Sequence, residues 1–157
     1  MALAFSVSLA EILKVGLHDP SLFHHALFEF ETSVSVGKEW SSWDEWVYRT
    51  WGEVTFGLGS RGSPWLKGKG AIQWSFCPCQ FIEGALLAEM GFGGEKFCLH
   101  RFKGYGPIQY RAVDLSLGYT YCTECYGDIT FAILQRVYSR NGPSGLTRLT
   151  LQLATSF

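Results

Sequence analysis

Gln80-Phe81-Ile82-Glu83-Gly84-Ala85-Leu86-Leu87-Ala88-Glu89-Met90 is the stretch on which the fold class turns. At 3.6 residues per turn, Phe81, Ala85, Leu86 and Met90 share a face. Gly91-Phe92-Gly93-Gly94 follows, and glycine there ends a helix readily. The spacing therefore predicts a helix over 80–90.

On the N-terminal side of this stretch, 71–76 and 54–56 alternate with period two and read as strands around a Gly/Ser-rich loop at 57–70. Ser42-Trp43-Asp44-Glu45 has the form of a capping box, opening an aromatic helix that ends near Gly52. Ser8-Leu9-Ala10-Glu11 opens another in the same way, over 8–17. Asp19-Pro20-Ser21 resets the chain before a helix over 22–32, although Phe28-Glu29-Phe30-Glu31 alternates in a way that also suits a strand. On the C-terminal side, 96–102, 108–115, 129–138 and 146–154 read as strands, the last two flanking a turn at 140–145. The expectation is an α+β fold: a single domain, 1–157, with N-terminal helices and one central helix packed on a mainly antiparallel sheet.

Composition narrows the function classes. Thirteen Lys and Arg balance fourteen Asp and Glu, and no basic cluster offers the face that nucleic acid needs. Residues 1–10 are apolar but lack preceding basic residues and a cleavage site, so they do not read as a signal peptide. No stretch reaches the roughly 18 apolar residues of a membrane-crossing helix. Five cysteines, an odd number confined to 77–125, point to a reducing compartment. The sequence thus predicts a cytoplasmic protein with a small-molecule ligand or substrate, no nucleic acid and no membrane. The aromatic surplus is compatible with a homodimer.

The cysteines come in close pairs: Cys77-Pro78-Cys79, Cys98-Leu99-His100 and Cys122-Thr123-Glu124-Cys125. Two chemistries suit them. Zinc takes four ligands from thiolate and imidazole, and close spacing lets one turn supply two. Four of Cys77, Cys79, Cys98, His100, Cys122 and Cys125 would form such a site. Alternatively, Cys79 at a helix start would have a lowered thiol pKa and act as nucleophile, with His100 as base. Free cysteine also packs as a small buried hydrophobe, which leaves a third reading with no site at all. His18, His24 and His25 read as a helix end and a surface pair. Trp40, Trp43, Trp46 and Trp51 read as core or as walls of an apolar pocket.

Cys79, then Gly84 to Gly91, then Cys98-Leu99-His100 and Gly118-Tyr119-Thr120-Tyr121-Cys122 together resemble the L-2-amino-thiazoline-4-carboxylic acid hydrolase family, over about 76–126. His100 stands where that pattern has an acidic residue, and Cys77 and Cys125 are additional. The resemblance implies hydrolysis of a C–N bond in a small cyclic amidine-like or amide substrate, carried by Cys79, Cys98, His100 and Cys122. A second set, Trp51-Gly52-Glu53-Val54, the strand ending at Cys77, and Glu95-Lys96-Phe97-Cys98, is similar to the 4-vinyl-reductase domain. That likeness implies a small-molecule sensor with a structural zinc beside an aromatic-lined pocket. Gln109 lies where the later cysteine of that pattern belongs, so Cys122 or Cys125 would have to replace it.

Overall fold

The computed structural model describes residues 1–11, 28–42, 45–60, 63–94, 100, 108–123 and 127–154. Eight strands run through them: β1 (Ala2–Glu11), β2 (Phe28–Ser42), β3 (Glu45–Gly59), β4 (Trp65–Cys77), β5 (Gln80–Gly91), β6 (Arg111–Thr123), β7 (Gly127–Arg140) and β8 (Thr147–Ala154). All belong to one sheet, and each pairs antiparallel with its neighbours in sequence.

This overturns the α+β expectation. Of the segments expected as helices, 45–52 lies in β3, 80–90 in β5 and 28–32 in β2; Ser42 ends β2, and 43–44 fall outside the described residues. Residues 8–11 end β1, while 12–17 and 22–27 fall outside the described residues. The expected strands at 54–56, 71–76 and 129–138 are strands; of 146–154 the strand takes 147–154, and of 108–115 it takes 111–115. Of 96–102, only His100 is described.

The correction at 80–90 has a physical cause. Helical spacing groups Phe81, Ala85, Leu86 and Met90 but leaves Glu83 and Glu89 without assigned partners. Period two sends Ile82, Leu86, Ala88 and Met90 to one face and Glu83, Ala85 and Glu89 to the other. There Glu83 accepts hydrogen bonds from Lys69 Nζ at 3.3 Å and Gln73 Nε2 at 2.7 Å. Gly84 is a poor helix residue, costing about 1 kcal/mol against alanine. As a central strand, β5 pairs along almost its whole length on both sides. Backbone pairing and side-chain neighbours outweigh the local period.

Following the ladders, one face of the sheet is apolar from edge to edge. It carries Phe5 and Val7 of β1, Val34 and Val36 of β2, Val54 of β3, Ile72 of β4, Leu86 of β5, Leu115 and Leu117 of β6, Phe131 and Ile133 of β7, and Leu149 and Leu151 of β8. All of these side chains are exposed. The other face holds the buried residues, and they are small, polar or charged as often as apolar: Ser33, Thr55, Trp65, Ala71, Ala85, Ala112, Thr120, Leu134 and Arg136.

The sheet is strongly curled. Tyr110, in the connection before β6, lies within electrostatic reach of Glu29 on β2, Glu89 on β5 and Arg136 on β7. In a flat sheet, at about 4.8 Å per strand, β2 and β7 would stand more than about 20 Å apart. The buried face is therefore the concave one. On it, where β4 begins, Trp65 reaches across β3 to Glu31 on β2, and the residue it crosses is Gly57. A Cβ at Gly57 would lie 2.0 Å from Trp65 Cε2. Gly57→Val should therefore lower the urea midpoint of unfolding, by an amount equivalent to about 1–3 kcal/mol of overpacking. An unchanged midpoint by tryptophan fluorescence would show that the ring has another place to go.

Candidate functional site

The concave face carries charged side chains, several of them in ion pairs. Glu31 accepts hydrogen bonds from Trp65 Nε1 at 2.9 Å and Lys67 Nζ at 2.5 Å. Glu53 accepts from Ser35 Oγ at 2.9 Å and Thr55 Oγ1 at 3.1 Å. Arg136 donates to Asp114 through Nε at 2.7 Å and Nη2 at 3.0 Å, a two-pronged contact between nearly buried groups. Nη1 of Arg136 also donates to the Pro143 carbonyl at 3.4 Å. Lys69, besides meeting Glu83, lies 4.2 Å from the centre of the Trp51 ring. Burying charge is tolerable only with such pairing.

Between these groups lies a polar cavity of about 220 Å³, touched by Glu31, Glu53, Lys67, Lys69, Glu89 and Asp114. Its wall is drawn from β2 through β6, which only a curled sheet can bring together. One end of the concave face is closed by aromatic packing. Arg49 pairs with Glu39 and lies 4.1 Å from the Trp46 ring centre, and Trp46 meets Phe81 edge-on at 5.3 Å. At the other end Tyr110 is almost fully buried, and burial together with the Glu89 carboxylate pushes its hydroxyl pKa up, so it stays protonated.

The expected site residues are placed differently from the sequence reading. Cys77 ends β4 and is exposed, whereas Cys79 stands in the turn between β4 and β5. No helix follows Cys79, so the dipole invoked to lower its thiol pKa is missing. Cys122 lies on β6, and its amide N–H donates to the Cys79 carbonyl at 2.8 Å. The structure thus brings Cys79 and Cys122 together. His100 is exposed. Cys98 and Cys125 lie outside the described residues, as do His18, His24, His25 and Trp43. Among the described residues, no group of three or more His, Cys, Asp and Glu side chains could hold a metal ion. Trp40, Trp46 and Trp51 do not share a pocket: Trp40 is on the apolar face, while Trp46 and Trp51 serve different parts of the concave one.

Sequence reading missed Glu31, Lys67, Asp114 and Arg136. Their signal was present: Phe28-Glu29-Phe30-Glu31 and Lys67-Gly68-Lys69 alternate, as charges on one face of a strand must. No family model, curated protein or solved structure matches the chain. Among the described residues, no helix is long and apolar enough to cross a membrane.

Removing one partner of the Arg136–Asp114 pair leaves a charge in a nearly closed place. Arg136→Met should destabilise the fold by about 3–5 kcal/mol, and Arg136→Met with Asp114→Leu should recover part of that loss. If the double variant were as unstable as the single one in urea titrations, the stranded carboxylate would not be the cause.

Proposed function

We propose that this chain is a bilayer-embedded β-barrel domain that anchors and presents the long connections at one of its ends, with an interior closed by ion pairs rather than open to solutes. The observation that carries the reading is the reversed polarity of the sheet. In water a sheet buries its apolar face. Here the apolar face is the convex, exposed one, and the charges lie inside. Apolar-out, polar-in alternation on every strand is the pattern that hydrocarbon requires of a spanning barrel.

Other features support it. Strands of 8 to 15 residues suit the roughly 9–11 residues that a tilted strand needs to cross. The strand ends joined by the fewest residues, at 42/45, 77/80 and 123/127, lie at one end of the sheet, and those flanking 12–27 and 92–110 lie at the other. Trp40, Tyr48, Trp74, Tyr119 and Tyr121 gather on the apolar face toward the former of these ends, as interfacial aromatics do. Lys38, Arg111 and Arg140, which lie on that face, are all toward strand ends. An interior of eight strands is just wide enough for side chains to fill, which fits the ion-paired lumen. The expectation of a cytoplasmic protein rests on the odd cysteine count, the lack of a signal-peptide pattern and the lack of a membrane-crossing helix; a sheet of this kind reaches the bilayer without such a helix.

The edges of β1 and β8 bear on closure. With an even number of strands the two run antiparallel, so they can pair. Following the ladders from Leu3 through Val36, Gly52, Gly70, Leu86, Leu115 and Gln135 leads to Thr147, where β8 begins. β1 ends at Glu11, so levelling the two strand ends needs a stagger of about eight residues, within the range of eight-stranded barrels. An even stagger also keeps Phe5 and Leu153 on the same face. In a background without native cysteines, Ala4→Cys with Ala154→Cys should form an intramolecular disulfide. Cross-links only between chains would instead set these edges against a second copy.

Refolding from urea tests the bilayer reading directly. Far-UV circular dichroism should show strand structure with zwitterionic detergent micelles or phosphatidylcholine vesicles present, and the vesicle-bound protein should resist alkaline carbonate. Leu117→Arg, midway along β6, should cost about 2–4 kcal/mol of stability in vesicles, and Tyr121→Arg near the strand end about 0–1 kcal/mol. A folded, monodisperse monomer in detergent-free buffer would overturn the proposal.

A further inference from the structure

The turn between β4 and β5 brings two thiols into register. Gln80 pairs with Tyr121, and one step further Cys79 stands opposite Cys122, joined by the 2.8 Å hydrogen bond from the Cys122 amide to the Cys79 carbonyl. Directly opposed antiparallel residues have their Cα atoms about 4.5–5.5 Å apart, inside the 4.4–6.8 Å range of natural disulfides. Both thiols are half-buried and free in this structure. Cys79 lies close enough for its charge to act on Cys122, and the Asp128 carboxylate is beside Cys122. Cys77 is exposed at the end of β4, where its partner across the ladder is Gln80.

We infer that Cys79 and Cys122 form a cross-strand disulfide when a low-molecular-weight or protein disulfide is present as oxidant, tying the β4–β5 turn to the end of β6. The Cys79 thiolate attacks the oxidant's disulfide and expels one thiolate, giving a mixed disulfide on Cys79. Cys122 then attacks the Cys79 sulfur and expels the second. The two protons lost by the cysteines end on the two released thiols, and the oxidant gains the two electrons. Cys122 goes second because burial, and after it the neighbouring Asp128 carboxylate, disfavour a thiolate there. The bond does not depend on the membrane reading, since it follows from β5–β6 register alone.

The test uses the full chain with Cys77→Ser, Cys98→Ser and Cys125→Ser, leaving only the two opposed thiols. It is folded, treated with oxidised glutathione, alkylated with iodoacetamide and weighed. The expected product is an unalkylated chain lighter by two hydrogen atoms, and further substitution of Cys79 or Cys122 by Ser should abolish it. Peptide mapping of the oxidised wild-type chain provides a second reading that needs no substitution to fold, with a linked pair containing Cys79 and Cys122. Two alkylated thiols under oxidising conditions, or a wild-type link that joins Cys79 or Cys122 to Cys77, Cys98 or Cys125, would overturn the inference.

Discussion

Phase is the constraint on which the rest of the structure depends. Each strand turns alternate side chains to opposite faces, and the ladders keep that alternation in step from β1 to β8. A slip of one residue in any ladder would carry charges such as Glu31, Lys67 and Asp114 to the apolar face and leave aliphatic groups in the charged interior. The three irregularities in the ladders, near Trp40, Ser75 and Val113, fall toward strand ends, where an extra residue does least harm to the central alternation. The one near Trp40 helps turn Trp46 inward to meet Arg49 and Phe81.

The interior then follows from size as much as from charge. Eight strands enclose little space, so large residues need small neighbours. Trp65 is accommodated by Gly57 and Tyr110 by Gly91, where added Cβ atoms would lie 2.0 and 2.5 Å from the rings. The ion pairs use the same economy: Glu31 serves both Trp65 and Lys67, and Glu83 serves both Lys69 and Gln73. Packing and electrostatics are one arrangement here, because each charged group also occupies volume that would otherwise be open.

How much of this the sequence displayed depends on the segment. The strands at 71–76, 129–138 and 147–154 were legible because β-branched and aromatic residues alternate there with polar ones. The helix over 80–90 was misread because Ala, Leu, Glu and Met favour helices and Leu86-Leu87 interrupts the alternation; only the partners on β4 and β6 decide the matter. The Ser42-Trp43-Asp44-Glu45 capping pattern misleads for a similar reason: Ser42 and Glu45 pair with each other across β2 and β3. At the candidate site, the proximity of Cys79 and Cys122 is a matter of register, which no local pattern reveals. The charged interior was hidden because solvent-facing charge is the ordinary reading of an alternating strand, and the reversal shows only when all eight apolar faces are seen to lie on the convex side.

Because every ladder joins strands adjacent along the chain, the sheet can grow one hairpin at a time, each step closing a modest loop. In the proposed barrel, pairing β1 with β8 is different: it would join the most distant segments and would have to await the last strand. Until then two strand edges and a broad apolar face are available to any other chain nearby. The hazard of this architecture is therefore kinetic, concentrated in the interval between making β1 and meeting β8, and a cell that makes the protein needs a means of keeping unfinished chains apart.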